Sequence, residues 1–516
     1  MDRKKSTRLQ RLRIASQLFC TWLFFFLLLR SGGAAVEHLP QTGLFFYFDP
    51  LLLWVNFLSG PFFAAFLLAL LPLLLTLVLG RFFCGWICPL GALNQFFTWL
   101  GSRRARKKVA VERQALRLKY LLLIVLLVAS LFASQLLGWL DPFSLLTRSA
   151  ATVVLPGTNF LLQHPLQFGA QNQGWAGKAV KPLYDLSRRF LLTVRQRTFM
   201  QASAIGLLFF GLLLLNLRRR RFFCNSLCPL GALYGLLARY SLLHLPLNEQ
   251  CRQCGACANH CTYYGSPYQD YLKSECVLCL NCLVDCPAAA IDVRFQWPRR
   301  GTRPALDLSR RQWLGAAGCG LVAAALPQIG VDKKSKTHPF IRPPGAVAER
   351  EFLKQCVRCG ACMQACPTNA IHPAVFQSGL EGLYTPVLVP VNGYCEYECN
   401  RCTQVCPTRA LARLTLEEKK RFKIGTAVID RSACYTYADG YNCAVCEEHC
   451  PVPEKAIRFR EVDVNNFRGQ AKKVKQIYVV PDLCIGCGIC ENVCPRTDAP
   501  AIRVGAEEEQ RENPYG

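Results

Sequence analysis

Apolar positions in the first part of the chain do not recur at one-face helical spacing; they run on without interruption. Four such runs stand out, at about Ile14–Leu29, Phe57–Leu79, Tyr120–Leu140 and Met200–Leu217. Crossing a bilayer takes roughly 20 apolar residues. A helix buried on one side only shows polar residues on the other, so these runs predict membrane spans. Lysine and arginine gather beside them. Arg3, Lys4, Lys5, Arg8, Arg11 and Arg13 precede the first run, Arg103 to Lys108 follow the second, and Arg218 to Arg221 follow the fourth. Such an excess marks cytoplasmic loops. Both ends of the four-span unit and its middle loop are therefore expected inside, and the loop Asp141–Arg197 outside, although that loop carries several Arg and Lys of its own.

The four runs form a repeat. RFFCGWICPLGAL occupies Arg81–Leu93 and RFFCNSLCPLGAL occupies Arg221–Leu233, each after the second span of a pair. Each pair also carries an Asp-Pro on the outer side, Asp49-Pro50 and Asp141-Pro142. Both halves begin in the cytoplasm, so the repeats are parallel about an axis along the membrane normal. That axis would bring Cys84, Cys88, Cys224 and Cys228 together on the cytoplasmic side, four thiols that suffice for one metal or cluster. A structural turn, or a redox-active thiol set without metal, reads the same motif differently. Cys20, inside the first span, reads as a small buried apolar residue.

Composition sharpens the second half. The chain has 516 residues, 52% of them hydrophobic, 30 Cys and a formal charge of +27. The basic blocks beside the apolar runs account for most of that charge. No soluble segment forms a basic helix with base-reading residues, so a nucleic-acid partner is not expected. Twenty-four cysteines fall into six groups of four at short gaps. That is a metal framework rather than the long cross-links of a secreted disulfide protein.

The groups follow the bacterial ferredoxin signature C-x2-C-x2-C-x3-C-P. Three thiolates on one tight loop grip three irons of a [4Fe–4S] cubane, and the fourth Cys serves the other cluster of a pair. Cys251, Cys254, Cys257 and Cys261 make the first group, which lacks the final Pro; Cys276, Cys279, Cys282 and Cys286 make the second. Cross-ligation would exchange Cys261 and Cys286 between them. Four zinc-binding thiols are the competing use of such cysteines, and two interlocked motifs of this spacing disfavour it. The remaining groups are Cys356, Cys359, Cys362 and Cys366; Cys395, Cys399, Cys402 and Cys406; Cys434, Cys443, Cys446 and Cys450; and Cys484, Cys487, Cys490 and Cys494. The middle two have widened first gaps and the outer two are regular. This favours nested pairing, first with fourth and second with third, with sequential pairing as the alternative. His260 and His449 adjoin ligand cysteines and are read as local hydrogen-bonding groups. No Cys-x-x-Cys-His occurs, so c-type haem is not expected. Neither a nucleophile–base signature nor a phosphate-binding glycine loop is present.

Between the cluster regions lies Ser309-Arg310-Arg311-Gln312-Trp313-Leu314, followed by an Ala- and Gly-rich stretch to about Ile329. It is similar to a twin-arginine export signal. Clusters are inserted in the cytoplasm, so a loaded domain must cross the membrane folded. A linker with a chance arginine pair is the alternative, and Lys333, Lys334 and Lys336 weigh against outward crossing. The stretch is also a candidate fifth span.

These residues carry a resemblance. Residues 1–300, by their four spans, two CxxxCPLGAL motifs and two-cluster ferredoxin, resemble the NapH family of quinol-dehydrogenase membrane subunits, and the membrane domain of the nitrous-oxide-reductase regulator NosR looks similar. Residues 305–516 resemble the NapG/MauM family of four-cluster ferredoxins, which begin with a twin-arginine signal. The whole looks like a fusion of the two. The expected fold is an α-helical membrane domain plus α+β ferredoxin-like domains: 1–245 membrane domain, 246–300 two-cluster domain, 301–345 signal or fifth span and linker, 346–516 four-cluster domain. The six cysteine groups predict about six [4Fe–4S] clusters, and the resemblance implies the same two-plus-four division. It further implies multi-pass residence in a bacterial inner membrane, with the two-cluster domain cytoplasmic and the four-cluster domain periplasmic. Electrons would pass between the quinone pool and a periplasmic or membrane redox protein, a cytochrome or reductase. Asp49, Asp141 and His164 are the outer-side candidates for handling quinol protons. The alternative function is a maturation or regulatory protein that keeps a partner's metal centre reduced.

Overall fold

The structure is a computed structural model of the full chain. It describes residues 3–31, 43–59, 63–102, 113–132, 134–171, 175–190, 196–261, 263, 267, 272–297, 308–328, 340–375, 379–465, 471–496, 498–507 and 509–510. The basic block 103–108 and the lysines 333, 334 and 336 lie outside these. The chain divides into two compact units, one of Met1–Leu28, Pro40–Ser149 and Ser203–Leu326, the other of Leu29–Leu39, Ala150–Ala202 and Pro327–Gly516.

In the first unit, α1 (Arg3–Ser31) contains the one helix, Ser6–Ser31, that is long and apolar enough to cross a bilayer unaided, among the described residues. The other predicted spans are assembled from shorter pieces. The second is a 3-10 helix, Ala64–Ala69, running into the α-helix Leu70–Leu79. Pro72 has no N–H for the bond that would carry an α-helix back into Ala64–Ala69. The third is Arg113–Leu131 and then a short turn of helix, Leu137–Leu140. The fourth is Ala202–Leu214 followed by the 3-10 turn Leu215–Leu217. There Asn216 turns the chain: its Nδ2 donates to the Leu213 carbonyl at 2.9 Å and its Oδ1 accepts from the Phe222 amide at 2.9 Å.

Both Asp-Pro pairs start helices. The side chain of Asp49 accepts from the Leu51 amide at 2.8 Å at the head of α2 (Pro50–Leu58), and Asp141 accepts from the Ser144 amide at 2.7 Å at the head of Pro142–Ser149. Aspartate is a favoured N-cap and proline a favoured first residue, so the dipeptide is a helix start in both repeats.

The helix Arg310–Gln328 packs in this first unit. Its buried positions Ala316, Gly320 and Ala324 recur every fourth residue. A Cβ on Gly320 would stand 2.8 Å from the Cβ of Val128, inside van der Waals contact. Small residues in one stripe let two helix backbones approach closely, as in membrane helix pairs. The two-cluster region also belongs here, closed by an antiparallel pair that sets Leu243 against Phe295 and His244 against Arg294.

The second unit joins the loop after Ser149 to the C-terminal ferredoxin region. Helices Leu155–Gln171 and Trp175–Phe190 pack on each other. Beyond them, Arg197 donates to the Gln364 carbonyl, the Thr198 carbonyl accepts from Asn369 at 2.8 Å, and Phe199 lies edge-on to His372 at 5.4 Å. Three antiparallel strand pairs organise the rest: Ile371–Pro373 with Pro386–Leu388, Thr426–Ile429 with Ile502–Gly505, and Ile457–Asn465 with Ala471–Val479. The fold is thus mainly helical in the first unit, with one short strand pair in its two-cluster region, and α+β in the second. His164 belongs to this second unit, 3.4 Å from Gln196 and exposed.

Candidate iron–sulfur sites

Four cysteine loops share one backbone device. The residue before the second Cys and the residue after it are both left-handed: Gln253 and Gly255, Leu278 and Leu280, Arg358 and Gly360, Gly486 and Gly488. Their φ values run from 50° for Gln253 to 78° for Gly488. Left-handed backbone is open to glycine and costly for other residues. Its use at Leu278, Leu280 and Arg358 marks a site where the surrounding structure enforces the curl. The curl points three thiols to one centre and turns amides inward, a concavity suited to an anionic cluster. The two motifs with widened first gaps do without it. Asn400 and Ala444, at the matching place, have φ of −125° and −122°, because the extra residues make the bend instead.

Amides reach the fourth cysteine in the closing turn of four motifs. The Ala290 amide donates to Cys286 Sγ at 3.3 Å, Ala370 to Cys366 at 3.3 Å, Leu411 to Cys406 at 3.5 Å and Ala501 to Cys494 at 3.4 Å. Hydrogen bonds to sulfur are a principal lever on cluster potential. Burial is the first cause that pushes Cys359 well above the ordinary thiol range, and Cys446 and Cys487 up to about 12. Loading iron must therefore displace thiol protons. The residues fit the group: short curled loops, convergent thiols, amides on sulfur and a fourth thiol supplied by the partner motif.

Pairing in the C-terminal region is sequential, not nested. Cys406 is the cross-motif neighbour of Cys356, Cys359 and Cys362, while Cys366 neighbours Cys395, Cys399 and Cys402. Cys434, Cys443 and Cys446 share a cavity with Cys494, and Cys450 neighbours Cys487. Two hairpins decide this. The strand pair Ile371–Pro373 with Pro386–Leu388 returns the chain between the first and second motifs, and the pair Ile457–Asn465 with Ala471–Val479 returns it between the third and fourth. Cys257, Cys261, Cys276 and Cys279 all neighbour Cys282 in the two-cluster region. His260 is an exposed partner of Asp285 at 2.7 Å, and His449 Nδ1 bonds the Val445 carbonyl at 2.8 Å, so both serve local hydrogen bonds.

The repeated CxxxCP motif builds a second kind of site. In both repeats the second Cys amide reaches back five residues, Cys88 to the Phe83 carbonyl at 3.1 Å and Cys228 to Phe223 at 2.9 Å. Cys228 then caps the helix Pro229–Ala238, its Sγ accepting from Gly231 at 3.2 Å. Helix N-termini favour thiolate. Glycine is required three residues on: a Cβ on Gly91 would meet the Cys84 carbonyl at 2.8 Å, and one on Gly231 would meet the Arg81 guanidinium at 3.0 Å. The four thiols are mutual neighbours, Cys84 and Cys224 beside Cys88, and Cys84, Cys88 and Cys224 beside Cys228. Burial pushes Cys224 up to about 11 and Cys88 and Cys228 well above the ordinary thiol range.

This thiol set lies against the two-cluster region. Cys84 and Cys224 pack on Tyr263, Val277 and Cys279. A Cβ on Gly85 would overlap the Val277 carbonyl, and Trp86 Nε1 donates to the Leu278 carbonyl at 3.1 Å. Buried charges bind the two parts. Arg81 donates to Glu275 at 2.8 Å, Lys119 pairs with the same carboxylate, and Tyr120 donates to it at 2.8 Å. Arg221 sits 4.0 Å over the Tyr263 ring and donates to Gln95. Arg221 and Arg13 are buried, not the solvated topogenic charges that the sequence pattern suggested. Lys119 and Glu275 were not singled out from the sequence, and Arg81 and Arg221 were not read as site residues; the one signal was that both repeats open on the same Arg.

Relatives confirm the chemistry. The chain is 39% identical over 165 residues to the ferredoxin-type protein NapG of Escherichia coli, covering 32% of this chain and 69% of that protein. It is 35% identical over 203 residues to the methylamine utilization ferredoxin-type protein MauM of Methylorubrum extorquens, covering 38% of this chain and 88% of that one. The chain belongs to the NapG/MauM family of ferredoxin-type proteins. MauM of Paracoccus denitrificans is similarly related, 36% identical over 42% of this chain and 92% of its own length. Family models described as 4Fe-4S binding domains match residues 61–108, 201–247 and 353–372, and a 4Fe-4S dicluster model matches 441–498. The first two matches each contain one CxxxCP repeat. No solved structure matches. As a NapG/MauM-type protein the chain binds several [4Fe–4S] clusters and transfers electrons.

Proposed function

We propose that this NapG/MauM-type chain is a quinol-linked relay: it carries electrons between the membrane quinone pool and a redox protein on the outer face, using six ferredoxin-type clusters and a seventh metal group on Cys84, Cys88, Cys224 and Cys228. Residues 1–245 act as a NapH-like membrane domain. The observation that carries this is the packing of Cys84 and Cys224 directly on the Cys276–Cys279 loop. It leaves no aqueous gap between the repeat thiols and the two-cluster region. Bound clusters supply one-electron transfer; the chain's part is to hold sulfur at contact distance and to surround it with Arg81 and Arg221.

The bilayer side rests on the apolar groove of the first unit. Its wall is formed by Pro50, Leu51, Trp54 and Phe57, with Leu73, Leu127, Leu233 and Leu237, and it measures about 900 Å³. Apolar clefts of this size suit a flat, lipophilic ligand, here a quinone headgroup. The outer placement of the four-cluster domain rests on the segment 196–202, which follows the predicted outer loop and bonds to that domain through Arg197, Thr198 and Gln201. The helix Arg310–Gln328, packed by Gly320 on Val128, is then a retained fifth span between the cluster domains.

Protease added to intact spheroplasts tests the topology. The expected outcome is that residues 346–516 are digested while 246–300 survive until the membrane is opened. Complete protection of 346–516 contradicts the outward placement.

A further inference from the structure

The two Asp-Pro aspartates, expected on the outer side and away from the repeat thiols, are instead brought into contact at the heart of the first unit, with Tyr234 between Asp49 and those thiols. Asp49 and Asp141 are both wholly buried. Each spends one oxygen on the helix start it caps, Asp49 Oδ1 on Leu51 and Asp141 Oδ2 on Ser144. The other two oxygens, Asp49 Oδ2 and Asp141 Oδ1, accept from no donor among the described residues, and the two carboxyl groups stand within hydrogen-bonding reach of each other. Two carboxylates in contact away from water cannot both be ionised. The contact is sound only with one proton between them.

The surroundings give the pair a use. Asp49 directly precedes Pro50 and Leu51, which wall the apolar groove, and Tyr234 is the next residue after Leu233, which walls it too. Tyr234 is a charge neighbour of Asp49 on one side and of Cys84, Cys88 and Cys228 on the other, and its hydroxyl has no hydrogen-bond partner among the described residues. The Phe83 ring, next to Cys84, packs on Tyr234 at 5.5 Å between ring centres and on Phe143, two residues after Asp141, at 6.1 Å. The charged group on the helix that Asp141 caps is Arg148, which donates to the Trp139 carbonyl at 3.4 Å. Burial is the first cause holding Asp49 well above the usual carboxylate range, and Asp141 the second.

We propose that Asp49 and Asp141 form a carboxyl pair sharing one proton and that this pair is the proton acceptor for quinol bound in the adjoining groove. The inference rests on the quinol-linked reading above. As each quinol O–H bond breaks, its proton goes to the singly charged pair; a metal group held by the four repeat thiols would take the electron. The pair then releases the proton, and the cycle runs twice per quinol, two protons and two electrons in all. Repetition of Asp-Pro in both halves has its reason here, since a shared proton needs one carboxyl from each.

Asparagine caps helices as well as aspartate, so Asp49→Asn and Asp141→Asn should fold and keep wild-type iron content and visible spectrum. With a short-chain quinol as reductant, each variant should lose about 100-fold or more in the rate of cluster reduction, the scale of a lost general base, while dithionite reduces it as it does the wild type. The wild-type rate should fall on acidification, when the pair is already doubly protonated, and the variants should lose that limb. Infrared spectra should show a protonated carboxyl band that shifts on ¹³C-aspartate labelling and is absent from the D49N/D141N double variant. Variants that take quinol electrons at the wild-type rate, or a labelled band that survives in the double variant, overturn the proposal. If quinol fails to reduce the wild type while dithionite succeeds, the relay reading falls too; the infrared result stands apart from it and reports the shared proton alone.

Discussion

Replacing Cys84, Cys88, Cys224 and Cys228 together with serine should cut the chain off from quinol while leaving its ferredoxin clusters intact. Six ferredoxin-type clusters account for about 24 iron atoms and a seventh four-iron group for about four more. The variant should lose about four irons per chain. Dithionite should still bleach the remaining clusters at the wild-type rate, and quinol should bleach none. The physical reason lies in the contact between Cys84, Cys224 and the Val277–Cys279 loop. Without metal on those thiols, the buried site between groove and ferredoxin has no group that accepts an electron. Iron analysis with parallel dithionite and quinol titrations checks both halves. A variant with unchanged iron would remove the seventh group, and one with unchanged quinol reduction would remove its place in the path.

The second large effect concerns Glu275. Its carboxylate and both cations that bind it, Arg81 and Lys119, are fully buried. Breaking such a cluster by removing one partner leaves uncompensated charge and costs about 3–5 kcal/mol. Glu275→Ala leaves two cations without their common anion, directly before the ligand Cys276. It should lower thermal stability in detergent steeply and release the Cys276–Cys282 loop from the CxxxCP motif. Tyr120→Phe removes one hydrogen bond to the same carboxylate and should cost only about 1 kcal/mol. Thermal melts followed by visible absorbance measure both. Equal, small losses in the two variants would mean that Glu275 does not organise the contact.

The cysteines were legible because cluster ligation demands a local spacing, and spacing is written in sequence. The left-handed pairs were half legible: Gly255, Gly360, Gly486 and Gly488 announce themselves, whereas Gln253, Leu278, Leu280 and Arg358 take the same conformation without a glycine to signal it. Cluster pairing was misjudged because symmetry of motif spacing is not what decides it. Hairpins such as Ile371–Pro373 with Pro386–Leu388 return the chain to its own neighbour, and strands of three residues leave a weak pattern. Asp49 and Asp141 were visible as repeated Asp-Pro, but their meeting is a long-range event that no local pattern carries. Arg221 was hidden in plain view, one of four consecutive arginines, of which the structure buries it completely and leaves others exposed.

The relay itself is tested most directly by adding a reduced short-chain quinol, without oxygen, to the purified full chain and following cluster absorbance. The account predicts progressive bleaching that extends beyond the two-cluster region to the four-cluster domain and reverses when an outer-face electron acceptor is added. Clusters that dithionite reduces but quinol never does would contradict it.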